Sequence, residues 1–348
     1  MCLFPSKILN PRFKKNPNIN PALKYVTAKC GTCIECRQQR AREWQQRLEQ
    51  ENAANEKLQR AFITFTVTNQ VALEYGIDYE KQSLHEKDQE YKEKLYELEN
   101  KMMKDLVRKW RLKCEKAGLK KRQFLITEHG DGFTERIHMH GIIWSNKVNE
   151  VVEKWTWGIA DKGDFRDSTI PYLVKYMYKE QTGHETYRSI ILATPGIGNA
   201  YVKKQSTHLR HRWRNEKTTY TYILKNGRKV ALCEYYMKKI FSEYQRNMRR
   251  LYLREQGKQW VKQIEYNTND PKSYKRYIHK LMYEQAHEKM NRRPKLKKND
   301  YNCNGIIQIN HETFTSNRTP NQGRRAIGDG KNQTYTPNLE RGNEFEPN

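Results

Sequence analysis

The alternation of apolar and polar residues predicts three β-strands in the first half of the chain. Residues 61–68 are rich in β-branched and aromatic side chains, as is typical of a buried strand. Residues 124–128 form the second predicted strand and residues 136–144 the third, with a turn at residues 129–132 between them. Because so short a connection joins strands that pair with each other, we expect the second and third strands to form a hairpin.

Apolar residues at helical spacing lie on both sides of the first strand. They predict a surface helix from residue 37 to about residue 58 and a longer helix from about 87 to 117, which Gly118 is placed to end. After the hairpin, the pattern predicts a short helix over residues 148–157 and a loop over residues 158–169.

A further helix is predicted over residues 172–179, where Pro171 stands in the first turn, a position that tolerates proline. The order strand, helix, hairpin, helix indicates an α+β fold in which helices flank a central antiparallel sheet. Beyond residue 200, an Asn-Gly turn at residues 226–227 predicts a second hairpin, and helices are predicted over residues 234–266 and 272–290.

Composition divides the chain into four predicted parts. These are an N-terminal segment with clustered cysteines and a helix (1–60), a central domain (61–200), a basic and mainly helical region (201–290) and a flexible tail (291–348). The tail is predicted from its many Asn, Thr, Gly, Pro and charged residues and its few apolar anchors.

The chain is strongly basic, with 66 Lys plus Arg against 40 Asp plus Glu and a formal net charge of +26. Residues 201–300 alone hold 27 of these cations and 9 of the acids. Such a charge favours a polyanionic partner, and nucleic acid is the leading candidate. No membrane partner is expected, because no apolar stretch approaches the ~20 residues of a spanning helix and the first residues lack the apolar core of a signal peptide. We therefore expect a soluble, intracellular protein.

Two histidines on the third predicted strand are candidate metal ligands. His138 and His140 are two residues apart, so an extended backbone points both imidazoles to the same face. The strand becomes apolar after His140, as expected if only its near end is exposed. The alternative is that both histidines are merely polar positions of a half-buried strand.

Glu128 is the candidate third ligand. If Glu128 opposes Arg136 in the hairpin, its carboxylate lies on the same face as the two histidines. A register shift of one residue would move Glu128 to the other face and leave His129 as the alternative ligand. Two imidazoles with a carboxylate and water suit Mg²⁺ or Mn²⁺, ions that can activate a phosphate ester.

Two tyrosines on the helix after Pro171 are candidate nucleophiles. Tyr172 and Tyr176 are neighbours on one helix face because they are four residues apart. Lys175 and Lys179 repeat a Tyr-x-x-Lys spacing and are candidates to stabilise a phenolate or bind a phosphate, since a phenol in water ionises only near pH ~10. The chain has 22 tyrosines, so packing of the pair in the core is the alternative.

Cysteines cluster near the start of the chain. Three of the seven repeat at a Cys-x-x-Cys spacing and a fourth is the second residue; the four are Cys2, Cys30, Cys33 and Cys36. An odd number of cysteines without a secretion signal argues against a disulfide framework. Either the four bind a structural Zn²⁺, or they are reduced structural thiols.

These motifs resemble those of a known superfamily. Residues 138–143 are similar to the His-hydrophobic-His motif of HUH endonucleases, and residues 172–179 look like the two-tyrosine helix of that superfamily. More narrowly, the chain resembles the replication initiators of microviruses, phages with single-stranded DNA, of the gokushovirus type. That resemblance rests on the opening Met-Cys-Leu, on residues 30–37 and 43–44, and on the Thr-Pro-Gly-Ile-Gly run at 194–198.

The resemblance implies a rolling-circle initiator with an HUH-like fold and with His138, His140 and Glu128 as metal ligands. In that family a tyrosine cuts single-stranded DNA at the phage origin and keeps the 5′ end as a phosphotyrosine. In the cytoplasm of the bacterial host, the host helicase opens the duplex and the host polymerase extends the freed strand. The second tyrosine then cuts and closes the displaced strand. The chain departs from the family at Ile137, where proline is common, and after Glu128, where Tyr-Gly is common and His-Gly stands here.

Two other functions stay open on the sequence alone. A transposase, relaxase or plasmid initiator would use the same metal and tyrosine chemistry on a different substrate. A non-catalytic zinc-containing nucleic-acid-binding protein would need the cysteines and the basic region but neither tyrosine.

Overall fold

Helices and short strands alternate along the computed structural model, which describes residues 2–15, 18, 21, 24–80, 88–130, 136–179, 184, 186–261, 264–267, 270, 272 and 276–283. The strands are β1 (Ser6–Leu9), β2 (Tyr25–Ala28), β3 (Gln59–Phe65), β4 (Arg122–His129), β5 (Ile137–Ser145), β6 (Ala160–Asp164), β7 (Ile191–Ala193), β8 (Thr221–Ile223), β9 (Lys229–Ala231), β10 (Lys258–Val261) and β11 (Ile264–Asn267). The helices are α1 (Pro11–Lys15), α2 (Ile34–Ala54), α3 (Asn69–Glu74), α4 (Gln89–Lys116), α5 (Val148–Glu153), α6 (Thr169–Lys175), α7 (Ala200–Lys203), α8 (Gln205–Arg210), α9 (Glu234–Ile240) and α10 (Glu243–Glu255).

Five strands form a central antiparallel sheet in the order β6-β3-β5-β4-β7, with helices on both faces. The predicted α+β class is confirmed. The predicted hairpin is present as β4 and β5, but its register differs from the one expected: Glu128 pairs with His138 rather than with Arg136. The difference is two residues, and because side chains alternate with a period of two, Glu128 stays on the expected face.

The two faces of the sheet have separate cores. On one face, α4 packs Met102, Leu106 and Trp110 against inward residues of β3, β4 and β5. On the other face, α2 and α6 pack against alternate residues of the same strands, including Phe124 and Trp144. This second face also carries His138, His140 and Glu128. Each lies an even number of residues from Phe124 or Trp144 on its own strand, and such side chains point to the same face.

Helix α6 is only seven residues long and is fixed by packing. Ile170, Leu173 and Val174 are buried in the core beside α2. Burying an aliphatic side chain of this size stabilises the fold by about 1.5–3 kcal/mol. The predicted helix over residues 172–179 ends earlier than expected, at Lys175, and continues as a turn in which the Lys179 amide donates to the Lys175 carbonyl at 2.9 Å.

Two sequence predictions are wrong. The loop predicted over residues 158–169 contains β6, an edge strand that pairs with β3 and whose residues Ala-Asp-Lys-Gly-Asp give no apolar alternation. The helix predicted over residues 234–266 is instead α9, α10 and a β10–β11 hairpin, because Phe241 and Gly257 interrupt it, the first with an extended backbone and the second at φ +61°.

Other predicted elements are confirmed with shifted ends. The helix expected from residue 37 begins three residues earlier, as α2, and Gly118 follows α4 at φ +65°, the left-handed conformation of a helix end. The N-terminal segment also contains the β1–β2 pair, which the sequence pattern did not predict. The tail 291–348 and most of the helix predicted at 272–290 lie outside the described residues, although 276–283 are helical.

Helix α2 also supports the region after residue 200. The side-chain amide of Gln46 donates to the Ala231 carbonyl at 2.8 Å and its oxygen accepts from the Cys233 amide at 3.0 Å. Around the predicted Asn-Gly turn, β8 and β9 form the expected hairpin. Within the part of the chain that the structure describes, no helix has the length and apolar character needed to cross a membrane.

Candidate metal and tyrosine site

Three potential metal ligands converge at the end of the sheet. Glu128 on β4 and His138 and His140 on β5 present ligand atoms that all lie within 4.8 Å of one another. The Nε2 atoms of the two histidines are 3.0 Å apart, and Glu128 Oε2 lies 3.8 Å from His138 Nε2 and 3.4 Å from His140 Nε2. The carboxylate is buried and both imidazoles are largely buried, so the group opens to solvent by a narrow edge.

The outer nitrogen of each imidazole is held by the protein. His138 Nδ1 donates to the Arg136 backbone carbonyl at 3.2 Å, and His140 Nδ1 is hydrogen-bonded to the Thr64 hydroxyl at 3.0 Å. Such contacts are typical of metal-binding histidines because they orient the ring and leave Nε2 for the ion. Burial, and next the neighbouring His140, lower the pKa of His138 below its usual value, which keeps this imidazole neutral and its lone pair available.

The spacing of the two Nε2 atoms suits an octahedral ion. An ion about 2.1 Å from each of two atoms 3.0 Å apart sees them at about 90°, the angle between adjacent octahedral ligands. With one carboxylate, such an ion keeps open positions for water and for a phosphate oxygen. The donor set is therefore compatible with Mg²⁺ or Mn²⁺.

The two tyrosines lie directly beside these ligands. The ring of Tyr176 stacks on His140 with centroids 4.9 Å apart and an angle of 17° between the planes, and Phe62 stacks on the imidazole at 5.5 Å. A short hydrogen bond joins the hydroxyl of Tyr176 to the hydroxyl of Tyr172. Tyr176 is buried, whereas Tyr172 is 52% exposed, so the pair reaches from the ligands to the surface.

The two lysines of the Tyr-x-x-Lys spacing have different positions. Lys179 Nζ lies 3.3 Å from Glu128 Oε1 and 5.9 Å from the centre of the Tyr176 ring. Lys175 is exposed at the end of α6. Of the two, Lys179 is the one that the fold brings to the ligands and the tyrosines.

Sequence reasoning missed Thr64 and Phe62 of β3. Thr64 pairs directly with His140, and the ring of Phe62 lies 6.0 Å from that of Tyr172. Their alternation within a predicted strand was visible, but the pairing of β3 with β5, which brings them to the site, was not.

A comparison with protein families singles out this part of the chain. Residues 60–181 match the model of the replication-associated protein ORF2 family. The matched segment begins in β3 and ends just after Lys179, so it includes all three ligands and both tyrosines. The similarity is consistent with a rolling-circle replication initiator, a class of protein that binds DNA. No curated protein and no solved structure gives a significant match to the chain.

Within the matched segment, His129 lies apart from the candidate ligands. It is buried on the opposite face of the sheet, where its Nε2 lies 2.9 Å from Glu99 Oε2 and its ring stacks on His184 at 4.2 Å. His129 therefore does not take the place of Glu128 beside the two histidines.

The predicted cysteine group precedes the matched segment, and its four side chains lie close together. The sulfur atoms of Cys2, Cys30, Cys33 and Cys36 all lie within 4.8 Å of one another. Burial raises the pKa of Cys30, but hydrogen bonds from the amides of Cys33 and Thr32 and from the Thr32 hydroxyl outweigh it and lower the pKa to about 6. For Cys36, burial raises the pKa above its ordinary value.

Proposed function

We propose that the protein is a metal-dependent endonuclease and strand-transfer enzyme of the HUH type. It would cut single-stranded DNA at a specific origin and rejoin it, and so start and end rolling-circle replication of a phage genome of the microvirus type. The observation that supports this best is the contact between the tyrosine pair and a metal ligand: Tyr176 stacks on His140 and is hydrogen-bonded to Tyr172. The match to replication-associated proteins supports the same class of substrate.

In the proposed cleavage, a tyrosine oxygen attacks the phosphorus of the origin phosphodiester. The bond from phosphorus to the tyrosine oxygen forms, the bond from phosphorus to the 3′ oxygen breaks, and the proton lost by the phenol is balanced by the one gained by the leaving 3′ hydroxyl. The 5′ end stays on the protein as a phosphotyrosine. No nucleotide is hydrolysed, because the ester stores the energy needed to rejoin the strand.

His138, His140 and Glu128 would hold the metal, which when bound polarises the phosphate and stabilises the charge that develops on its oxygens. Lys179 would bind the phosphate or stabilise a phenolate, a role supported by its ammonium group lying 3.3 Å from Glu128 Oε1 and 5.9 Å from the centre of the Tyr176 ring. Lys175 would act from the exposed end of α6, by binding the DNA backbone.

Two tyrosines allow two successive cleavages by one site. After the first tyrosine has retained the 5′ end, the second attacks the origin regenerated by one round of synthesis. The 3′ hydroxyl freed in that step attacks the first phosphotyrosine, which restores the phenol and closes the displaced circle. The host polymerase would extend the first 3′ end and a host helicase would open the duplex, in the cytoplasm of the bacterial host.

The decisive experiment removes both hydroxyl groups. In Tyr172→Phe/Tyr176→Phe, we expect the covalent protein–DNA adduct formed with origin single-stranded DNA and Mg²⁺ or Mn²⁺ to fall at least about a thousandfold, as on loss of an enzyme nucleophile. Tyr178→Phe is the matched control, since Tyr178 is on the same turn and should retain adduct formation. Mapping of the modified residue by mass spectrometry identifies the linked tyrosine.

An adduct that persists in the double variant would contradict the tyrosine assignment. DNA binding without any adduct in the unmodified chain, with metal and origin present, would favour a non-catalytic nucleic-acid-binding protein instead.

A further inference from the structure

A second group of converging ligand atoms lies outside the proposed nuclease site, in the N-terminal segment. It consists of Cys2, Cys30, Cys33 and Cys36, whose sulfur atoms all lie within 4.8 Å of one another, with those of Cys2 and Cys33 4.0 Å apart. Three of these side chains are buried and that of Cys30 is half-buried. The group is thus closed to bulk water on most sides.

The spacing of the sulfur atoms suits one tetrahedral ion. With zinc–sulfur bonds of about 2.3 Å, the sulfur atoms of a tetrahedral site lie about 3.8 Å apart. The 4.0 Å between the Cys2 and Cys33 sulfurs is close to that value and is about twice the ~2.05 Å of a disulfide bond. Four sulfurs within 4.8 Å of one another make a complete set of ligands, which matches a structural zinc site rather than a catalytic one.

The surrounding backbone is arranged to accept negative sulfurs. The amides of Leu3, Cys30 and Cys33 point at the sulfurs of Cys33, Cys2 and Cys30, at 3.4, 3.2 and 3.3 Å respectively. Cys33 is also the N-cap of α2, so Cys33 and Cys36 lie at the positive end of a 21-residue helix. Amide donors and a helix N-terminus both stabilise thiolates, the form in which cysteine binds a metal.

We propose that Cys2, Cys30, Cys33 and Cys36 bind one Zn²⁺ that fastens the first residues of the chain to the N-terminus of α2. The helical residues 276–283 pack on the same group: Leu281 is buried against the cysteines, with Tyr277, Ile278 and Met282 packed around it. The zinc would therefore order the surface on which the end of the basic region rests, without a ligand from that region.

The proposed zinc site matters for the rest of the fold because of the position of α2. The same helix packs against α6, which carries Tyr172 and ends just before Tyr176, and it binds the β8–β9 region through Gln46. A metal at the N-terminus of α2 would fix where that helix begins. This proposal does not depend on the nuclease function, because its ligands and its readout are different.

The test is the metal content of the full-length chain purified under reducing conditions. We expect one zinc per chain, falling to below about one tenth in Cys30→Ser/Cys33→Ser, since loss of two of four ligands removes most of the affinity. Cys114→Ser is the matched control, a buried cysteine on α4 outside the group, and should keep its zinc. His138→Ala/His140→Ala should also keep it, which separates this ion from the one proposed at the nuclease site.

A second measurement avoids variants that fail to fold. In the unmodified chain, zinc should protect the four cysteines of the group from alkylation, a chelator should expose them, and Cys114 should be unaffected by either. Replacement by Co²⁺ should give the visible absorption of a tetrahedral thiolate site. Zinc that stays in the double cysteine variant, four cysteines that alkylate equally with and without zinc, or an iron-containing chromophore in the purified chain would each overturn the proposal.

Discussion

Two clusters of histidine and glutamate lie back to back on the central sheet, and they differ in nearly everything except residue type. Glu128, His138 and His140 occupy one face, with ligand atoms converging at an edge that opens to solvent. Glu99 and His129 occupy the other face, fully buried and in contact with each other at 2.9 Å. Glu128 and His129 are adjacent on the same strand, and because successive side chains of a strand point to opposite faces, they belong to different clusters.

The buried cluster is a structural network of hydrogen bonds. Tyr79 donates to Glu99 Oε1 at 3.1 Å, and a 2.6 Å hydrogen bond joins the hydroxyls of Tyr187 and Thr127. Burial, and next the nearby Glu99, raise the pKa of Tyr79, and burial likewise raises the pKa of Tyr187. These phenols stay protonated and hold the fold together. What distinguishes the other cluster is that its ligand atoms point at a common place and that tyrosines border it at the surface.

The largest expected effect comes from removing the histidine pair. His138→Ala/His140→Ala should slow cleavage of origin single-stranded DNA at least about a thousandfold, since a metal contributes several kcal/mol to the transition state. The melting temperature should fall, because both rings are largely buried, so cleavage is compared at a temperature where the variant is folded. His208→Ala, an exposed histidine on α8, is the control and should cleave normally. Full activity in the double variant would remove the basis for a metal at this face.

The second prediction concerns the buried face. Glu99→Ala should lower the free energy of unfolding by about 3 kcal/mol, because it removes the acceptor of the Tyr79 hydroxyl and the carboxylate that lies 2.9 Å from the buried His129 ring. Affinity for Mn²⁺ should be unchanged in the protein that folds. Glu90→Ala on the same helix is the control: its carboxylate is exposed and paired with Lys94, and its loss should cost less than about 1 kcal/mol. Chemical denaturation measures both, and equal costs would contradict the distinction between the faces.

The smallest effects are expected from replacing two threonines, one on each face of the sheet. Thr64→Val removes the hydroxyl next to His140 Nδ1 and should weaken Mn²⁺ binding about tenfold, with little change in stability. Thr127→Val removes the partner of Tyr187 and of the Ile190 amide, and should lower stability by about 1–2 kcal/mol with metal affinity unchanged. Calorimetric titration and thermal melts together separate the two outcomes. The reverse result would mean that the metal lies elsewhere.

The face on which the candidate ligands lie could be predicted from sequence, because it depends only on whether residues on a strand are an odd or an even number of positions apart. The register that was expected differed by two residues, yet Glu128 reached the predicted face, since a shift of two residues preserves the face of a strand. The exact pairing depends on the hairpin connection and on packing across the sheet, which no local pattern specifies. The same limit hid Thr64, which reaches His140 only through the pairing of β3 with β5.

The elements that sequence reasoning missed have little hydrophobic content of their own. Strand β6 is an edge strand with charged residues, a composition that protects an open edge from pairing with another chain but gives no strand signal. The strands β10 and β11 follow a helix with abundant charge and no proline, so helical periodicity continued past its true end at Glu255. Long elements with a buried face, such as α4, were predicted nearly to their ends.

The hydrogen bond between the hydroxyls of Tyr172 and Tyr176 has a consequence for the order of events in the proposed reaction. Two oxygens in such contact share a single bridging hydrogen, so they are not independent reagents. Once DNA is esterified to one of them in the proposed reaction, that oxygen has no hydrogen to donate and becomes a weaker acceptor, so the hydrogen bond between the two weakens. The second cleavage would therefore begin from a different state of the tyrosine pair than the first.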